Sequence, residues 1–158
     1  MRTLRLAVIS IFPLFLWATL AVCSGNPIGS AQTKILSTAL IQPGALADAL
    51  SSGQAKPVIF QVGFAVLYTE AHIPGAQYAG PTSQVDGADN LRKHAQGLSR
   101  GQPIVIYCGC CPWFHCPNVG PAFEQLRAMG FTEVKVLYIA NNFGDDWVAR
   151  GYPVERGK

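Results

Sequence analysis

Apolar and polar positions along this chain alternate in short runs, each closed by glycine or proline. Pro43-Gly44 followed by Ala45-Leu46-Ala47-Asp48-Ala49-Leu50 predicts a short helix, with proline near its start and Gly53 past its end. Pro57-Val58-Ile59-Phe60-Gln61-Val62 predicts a strand ending at Gly63, and Ala76 to Ala79 a short one after the Pro74-Gly75 turn. Val85 to Gln96 is polar and helical in pattern, and Gly97 stops it. Ile104-Val105-Ile106-Tyr107 is apolar without interruption, the pattern of a strand buried on both faces. Asn118 stands as an N-cap, with Pro121 in the first turn, Phe123, Leu126 and Met129 on one face, and Gly130 just beyond the end. Val134 to Tyr138 predicts another strand, and Asp145 or Asp146 precedes a last short helix near Trp147 to Arg150. Short strands alternating with helices predict an α/β fold whose parallel sheet is covered on both faces.

The beginning of the chain follows a different pattern. Arg2 and Arg5 precede an uncharged apolar stretch from Leu6 to Val22, followed by small and polar residues including Ser24, Gly25, Gly29, Ser30 and Ala31. This is the order of an export signal. As a helix the apolar stretch would span about 25 Å, short of a full bilayer crossing, and Pro13 interrupts it. Residues 1–31 are therefore expected to be signal and cleavage region, with the cut after Ser24 or before Gln32, and the mature protein periplasmic or secreted. A membrane association is expected only if the signal is retained or if Leu20-Ala21-Val22-Cys23 serves as a lipoprotein box with lipid on Cys23. Residues 32–38 are expected to be a tether, and 39–158 the folded domain.

Charge narrows the partners. Beyond residue 31 about 127 residues remain, with ten Lys/Arg and nine Asp/Glu and no basic cluster. Nucleic acid is excluded on this ground, because phosphate binding needs concentrated Lys or Arg. The length suffices for one domain with its own core.

Chemistry concentrates in one place. Four of the five cysteines, Cys108, Cys110, Cys111 and Cys116, lie within nine residues directly after the Ile104–Tyr107 strand. A strand end is where parallel α/β sheets place their ligands and reactive groups.

Three stretches together resemble the rhodanese-like, or thiosulfate sulfurtransferase-type, domain. His72-Ile73-Pro74-Gly75-Ala76 resembles that family's signature turn, with Tyr68 four residues earlier. Ile104 to Cys108 resembles the strand that ends at its nucleophilic cysteine, and Leu126-Arg127-Ala128-Met129-Gly130-Phe131, Val134, Trp147 and Gly151-Tyr152-Pro153-Val154 resemble its C-terminal third. The resemblance implies a small doubly wound parallel sheet flanked by helices, with a persulfide carried on Cys108 and its sulfur passed to a thiophilic acceptor. Its partners are then a small sulfur-containing anion and a thiol acceptor, and no cofactor is implied. Gly109, Cys110, Cys111, Pro112 and Trp113 form the active-site loop on this basis.

The loop departs from the family. Five and six residues after Cys108, where an arginine or other cation often holds the anionic donor, stand Trp113 and Phe114. Phosphatase chemistry is excluded, since its oxyanion needs fixed positive charge, and efficient turnover of thiosulfate is not expected. Gln61 and Gly63 replace an Asp and an Arg common in the family. The loop is also several residues longer than the family's usual spacing to the following helix, and Pro112 and Pro117 keep the chain from entering an uninterrupted helix straight after Cys108.

The extra cysteines leave two alternatives. Cys108 and Cys111 have the Cys-x-x-Cys spacing of dithiol oxidoreductases, in which the second thiol resolves what the first has formed, and Cys110 is a further resolving residue. The other alternative is non-catalytic: a disulfide staple, Cys111–Cys116 or Cys110–Cys116, or a soft-metal site, although adjacent Cys110 and Cys111 rarely ligate one ion. His72 is expected to organise its turn, His115 to be a solvent-exposed loop residue or a base near Cys108, and Trp113 and Phe114 to pack the loop or wall a pocket.

Overall fold

The computed structural model describes residues 35–53 and 55–157. The export stretch, Cys23 and residues 32–34 of the expected tether lie outside the described residues. Among those described, no helix is long and apolar enough to cross a membrane.

Five parallel strands form one sheet in the order β1-β5-β4-β2-β3. They are β1 (Leu40–Ile41), β2 (Val58–Gln61), β3 (Gln77–Tyr78), β4 (Ile104–Tyr107) and β5 (Val134–Leu137). Between them run α1 (Pro43–Ser51), α2 (Ala65–Glu70), α3 (Val85–Ala95) and α4 (Val119–Ala128). The centre of the sheet is β4, hydrogen-bonded to β2 on one side and β5 on the other, with Phe60 opposite Ile106 and Ile106 opposite Val136. All four of its residues are buried, which accounts for the unbroken apolar run.

Side-chain alternation along β4 feeds two cores. Ile104 and Ile106 join Phe60, Leu91, Leu126 and Val136 on the face covered by α3 and α4. Val105 and Tyr107 join Leu46, Ile59, Leu137 and Trp147 on the other face, under α1 and the C-terminal segment. The doubly wound α/β prediction describes this architecture.

Three local departures have physical reasons. α2 was not predicted: it opens at Phe64 without a side-chain cap, and none of its residues is buried, so it carries no amphipathic stripe. β1 is only two residues long, and structure already begins within the expected tether, where Ile35 packs on a core, Ser37–Ala39 forms a 3-10 turn and Lys135 Nζ donates to the Thr38 carbonyl at 2.6 Å. The last predicted helix is a single wide turn, Gly144–Val148, with Asp145 and Asp146 inside it. Asp146 is buried and accepts from the Asn141 amide at 2.6 Å.

Candidate active site

The site is built from the C-terminal ends of β2 and β4. β4 runs out at Tyr107, and its last backbone bond, from the Val62 amide to the Tyr107 carbonyl at 2.8 Å, fixes where Cys108 emerges. Cys108 is buried, at 2 % exposure. Gln61 supports it from below: its Nε2 donates to the Cys108 carbonyl at 3.0 Å, while its Oε1 accepts from the Gly63 amide at 3.2 Å. A side chain at position 63 has no room, because a Cβ there would lie 2.7 Å from Cys108 Sγ. Sequence comparison marked Gln61 and Gly63 only as replacements; in the fold they are the bracket and the clearance for one sulfur.

The loop then reverses. Gly109 has φ of +88°, and a Cβ there would meet the Phe143 side chain at 2.9 Å, so both conformation and space call for glycine. This turn brings Cys110 Sγ to 3.3 Å from Cys108 Sγ, and Cys111 Sγ lies 3.1 Å from Cys110 Sγ. Cys116 returns from the far limb, after a 3-10 turn at Trp113–His115, so that the sulfurs of Cys108, Cys110 and Cys116 all lie within 4.8 Å of one another. Cys108, Cys110, Cys111 and Cys116 are all free thiols, and neither expected staple is formed.

This arrangement biases one sulfur towards the anion. The Cys108 thiol is lowered from an ordinary 9.0 to about 6, first by the hydrogen bond from the Cys116 thiol. Burial opposes ionisation, and the Cys110 amide, the Cys110 thiol and Asn118 add to the Cys116 bond by donating to the thiolate, so the net effect is a lowering. Cys116 is pushed up mainly because it gives its proton to that bond, and Cys110 mainly by burial. One thiolate is thus held among two thiols that keep their protons.

Asn118 corrects the capping expectation. It precedes α4, but its side chain makes no cap bond. Its Oδ1 accepts from the Ser83 amide at 3.0 Å, and its Nδ2 faces Cys108 Sγ at 3.5 Å. A capping residue has been diverted to the sulfur, and nothing in the local pattern distinguishes the two uses.

A cleft of about 360 Å³ opens above Cys108. Of the loop expected to line it, only Gly109 and Cys110 do so; Cys111, Pro112 and Trp113 do not. Trp113 packs against the core and donates its amide to the Ile139 carbonyl at 2.9 Å, whereas Phe114 is exposed, and neither walls the cleft. His115 is exposed beside Phe114 and outside the cleft lining. His72 organises its turn as expected: it is buried, stacks on Tyr68 at 3.8 Å, and its Nδ1 donates to the Tyr68 carbonyl at 2.7 Å. The cleft also holds two charged side chains that sequence reading missed, Glu70 and Arg156. They come from α2 and the C-terminal tail, distant from the cysteines in sequence.

Chemically, a buried thiolate at the floor of an open cleft can attack an electrophilic sulfur, and the second and third thiols can resolve the product. The dithiol partner offered to Cys108 is Cys110 rather than Cys111. The three clustered sulfurs are also the set able to hold a soft metal ion, and they avoid the adjacent pair, since Cys111 is not among them.

The sequence profile of the rhodanese-like domain matches residues 42–138, and the chain belongs to that family. The fold is shared with the Alr3790 protein from Anabaena sp., at 22% identity over 74% of this chain and 92% of that one, with a TM-score of 0.58. It is likewise similar to the BH2092 protein from Bacillus halodurans, at 23% identity over 74% of this chain and 76% of that one, with a TM-score of 0.57. A rhodanese-related protein from Thermoplasma volcanium is similar at 17% identity over 73% of this chain and 96% of that one, with a TM-score of 0.51. No curated protein matches the chain. The molecule is thus a rhodanese-like domain with a cysteine-rich loop.

Proposed function

We propose that this protein is a sulfurtransferase of the rhodanese type, exported from the cytoplasm, that carries sulfane sulfur on Cys108. The observation that carries this reading is the Cys108 thiolate, lowered to about 6 and held at the floor of an open cleft. At neutral pH it is ionised without an added base, which sulfur attack requires. With thiosulfate as donor, the thiolate attacks the sulfane sulfur, the S–S bond breaks, and sulfite leaves with the electron pair. An acceptor thiolate then attacks the outer sulfur of the Cys108 persulfide; the pair returns to Cys108 and the acceptor departs as a persulfide.

Export is supported by Arg2, Arg5 and the Leu6–Val22 stretch. The test of sulfur transfer is to incubate the reduced protein with thiosulfate and locate a gain of one sulfur by peptide mass spectrometry. Sulfur on Cys108, lost in Cys108→Ser, is expected; unchanged loading in that variant would sink the proposal.

A second reading follows from the 3.3 Å approach of Cys110 to Cys108. Attack of the Cys110 thiol on the inner sulfur of the persulfide would release hydrosulfide and leave a Cys108–Cys110 disulfide. Hydrosulfide released in step with that disulfide, and abolished in Cys110→Ser, distinguishes this route from transfer to an external acceptor.

A further inference from the structure

Glu70 and Arg156 face the same cleft as Cys108, and neither takes part in an ion pair among the described residues. Apart from Tyr107 and the two cysteines, they are the ionisable side chains that line it.

Their placement is fixed by backbone. The C-terminal tail runs against the end of α2 and the turn after it. The His72 amide donates to the Glu155 carbonyl at 2.9 Å, the Glu155 amide to the His72 carbonyl at 2.8 Å, and the Gly157 amide to the Thr69 carbonyl at 2.9 Å. Arg156 therefore sits between two pinned neighbours. Glu70, the last residue of α2, is held on the adjoining segment, where the negative end of a helix gives a carboxylate no benefit. A carboxylate and a guanidinium on neighbouring pinned segments thus line one cleft with the Cys108 thiolate, and no ion pair joins them among the described residues. The walls add apolar surface from Leu67, Ala71, Phe143 and Val148. At about 360 Å³ the space suits a ligand of amino-acid to small-peptide size.

From this geometry we infer that the cleft selects a zwitterionic thiol, an α-amino-acid thiol or a short peptide containing one, as the reaction partner of Cys108. Arg156 takes its carboxylate and Glu70 its ammonium. The assignment rests on Cys108 as the attacking and accepting sulfur, and it names the acceptor class for the sulfur transfer above. It also accounts for a cleft whose cation comes from the tail, where the loop offers Trp113 and Phe114.

The test uses thiol–disulfide exchange, which needs no sulfane donor. The Cys108 thiolate attacks one sulfur of a disulfide, a mixed disulfide forms, and the leaving thiolate takes the electron pair. The reduced full chain is mixed at low salt with cystine, cystamine, 3,3′-dithiodipropionate or 2-hydroxyethyl disulfide. These present both charges, ammonium alone, carboxylate alone and neither. The loss of free Cys108 is followed by peptide mass, each rate being divided by that of a small free thiol with the same disulfide.

Cystine is expected to react fastest after this correction. Arg156→Gln slows cystine and dithiodipropionate by about threefold to fivefold, the size of one exposed charge contact, and spares cystamine. Glu70→Gln slows cystine and cystamine by a similar factor and spares dithiodipropionate. Arg156→Lys retains the preference, and salt erodes it in the parent protein. Equal corrected rates for the four disulfides, or variants that leave cystine untouched, would overturn the assignment. Charge selection without sulfur loading from thiosulfate would overturn thiosulfate as the donor and keep the cleft assignment; sulfur loading without charge selection would overturn the cleft assignment and keep sulfur transfer.

Discussion

Two segments bring reactive or charged groups to the same cleft by different means. The cysteine loop is launched by a strand buried on both faces, so the position of Cys108 follows from the sheet itself. The C-terminal tail has no regular structure of its own and owes its place to backbone bonds with the His72 turn and the end of α2. The comparison teaches that the sulfur chemistry is written locally, whereas the charges that face it are brought in by tertiary contacts.

Cutting the loop side at its centre has the largest effect. Cys108→Ser should abolish sulfur loading and the fast phase of alkylation by iodoacetamide at pH 7, both read by peptide mass. Next comes clearance: Gly63→Ala forces a methyl group to within 2.7 Å of Cys108 Sγ. Overpacking of this kind costs about 1–3 kcal/mol, so the urea midpoint should fall and Cys108 reactivity with it.

Ionisation gives the third experiment. With Cys108 lowered to about 6, its alkylation rate should rise with pH through that value and level off near neutrality, whereas an ordinary thiol keeps gaining beyond pH 8. Cys116→Ala removes the largest cause of the lowering, so the midpoint should move up towards 9.0. The rate at pH 6 then falls by about tenfold while the rate at pH 10 changes little. A midpoint that stays near 6 in this variant would show that Cys116 does not hold the thiolate.

Smaller effects test the supports. Gln61→Leu removes the donor to the Cys108 carbonyl and should cost about 1–3 kcal/mol in urea unfolding, because it leaves a buried carbonyl unpaired. On the tail side, Tyr68→Phe loses the bond from Tyr68 Oη to the Ala76 carbonyl at 2.7 Å but keeps the ring stack on His72. A change of about 1 kcal/mol or less is expected there, with Cys108 reactivity unaltered.

The same contrast explains what was legible in the sequence. β4 could be read because both of its faces are buried, and α4 because Leu126 and its neighbours recur at helical spacing. Cys108 followed from the strand before it. Glu70 and Arg156 could not be read, since they lie 38 residues before and 48 residues after that cysteine and meet it only once the tail has docked. Asn118 was legible as a residue at a helix start but not as a donor towards sulfur, because capping and sulfur contact use the same side chain. Gly63 was visible only as a departure from its family, for the sulfur it makes room for belongs to another strand.

The sheet also ends abruptly on both sides. β1 and β3, its two outer strands, are each two residues long, while the inner three have four residues apiece. A second chain approaching edge-on would find too little unpaired backbone to extend the ladder, so the fold discourages aggregation through its sheet. Among the described residues, the surface left for contact with another chain is that of helices and loops.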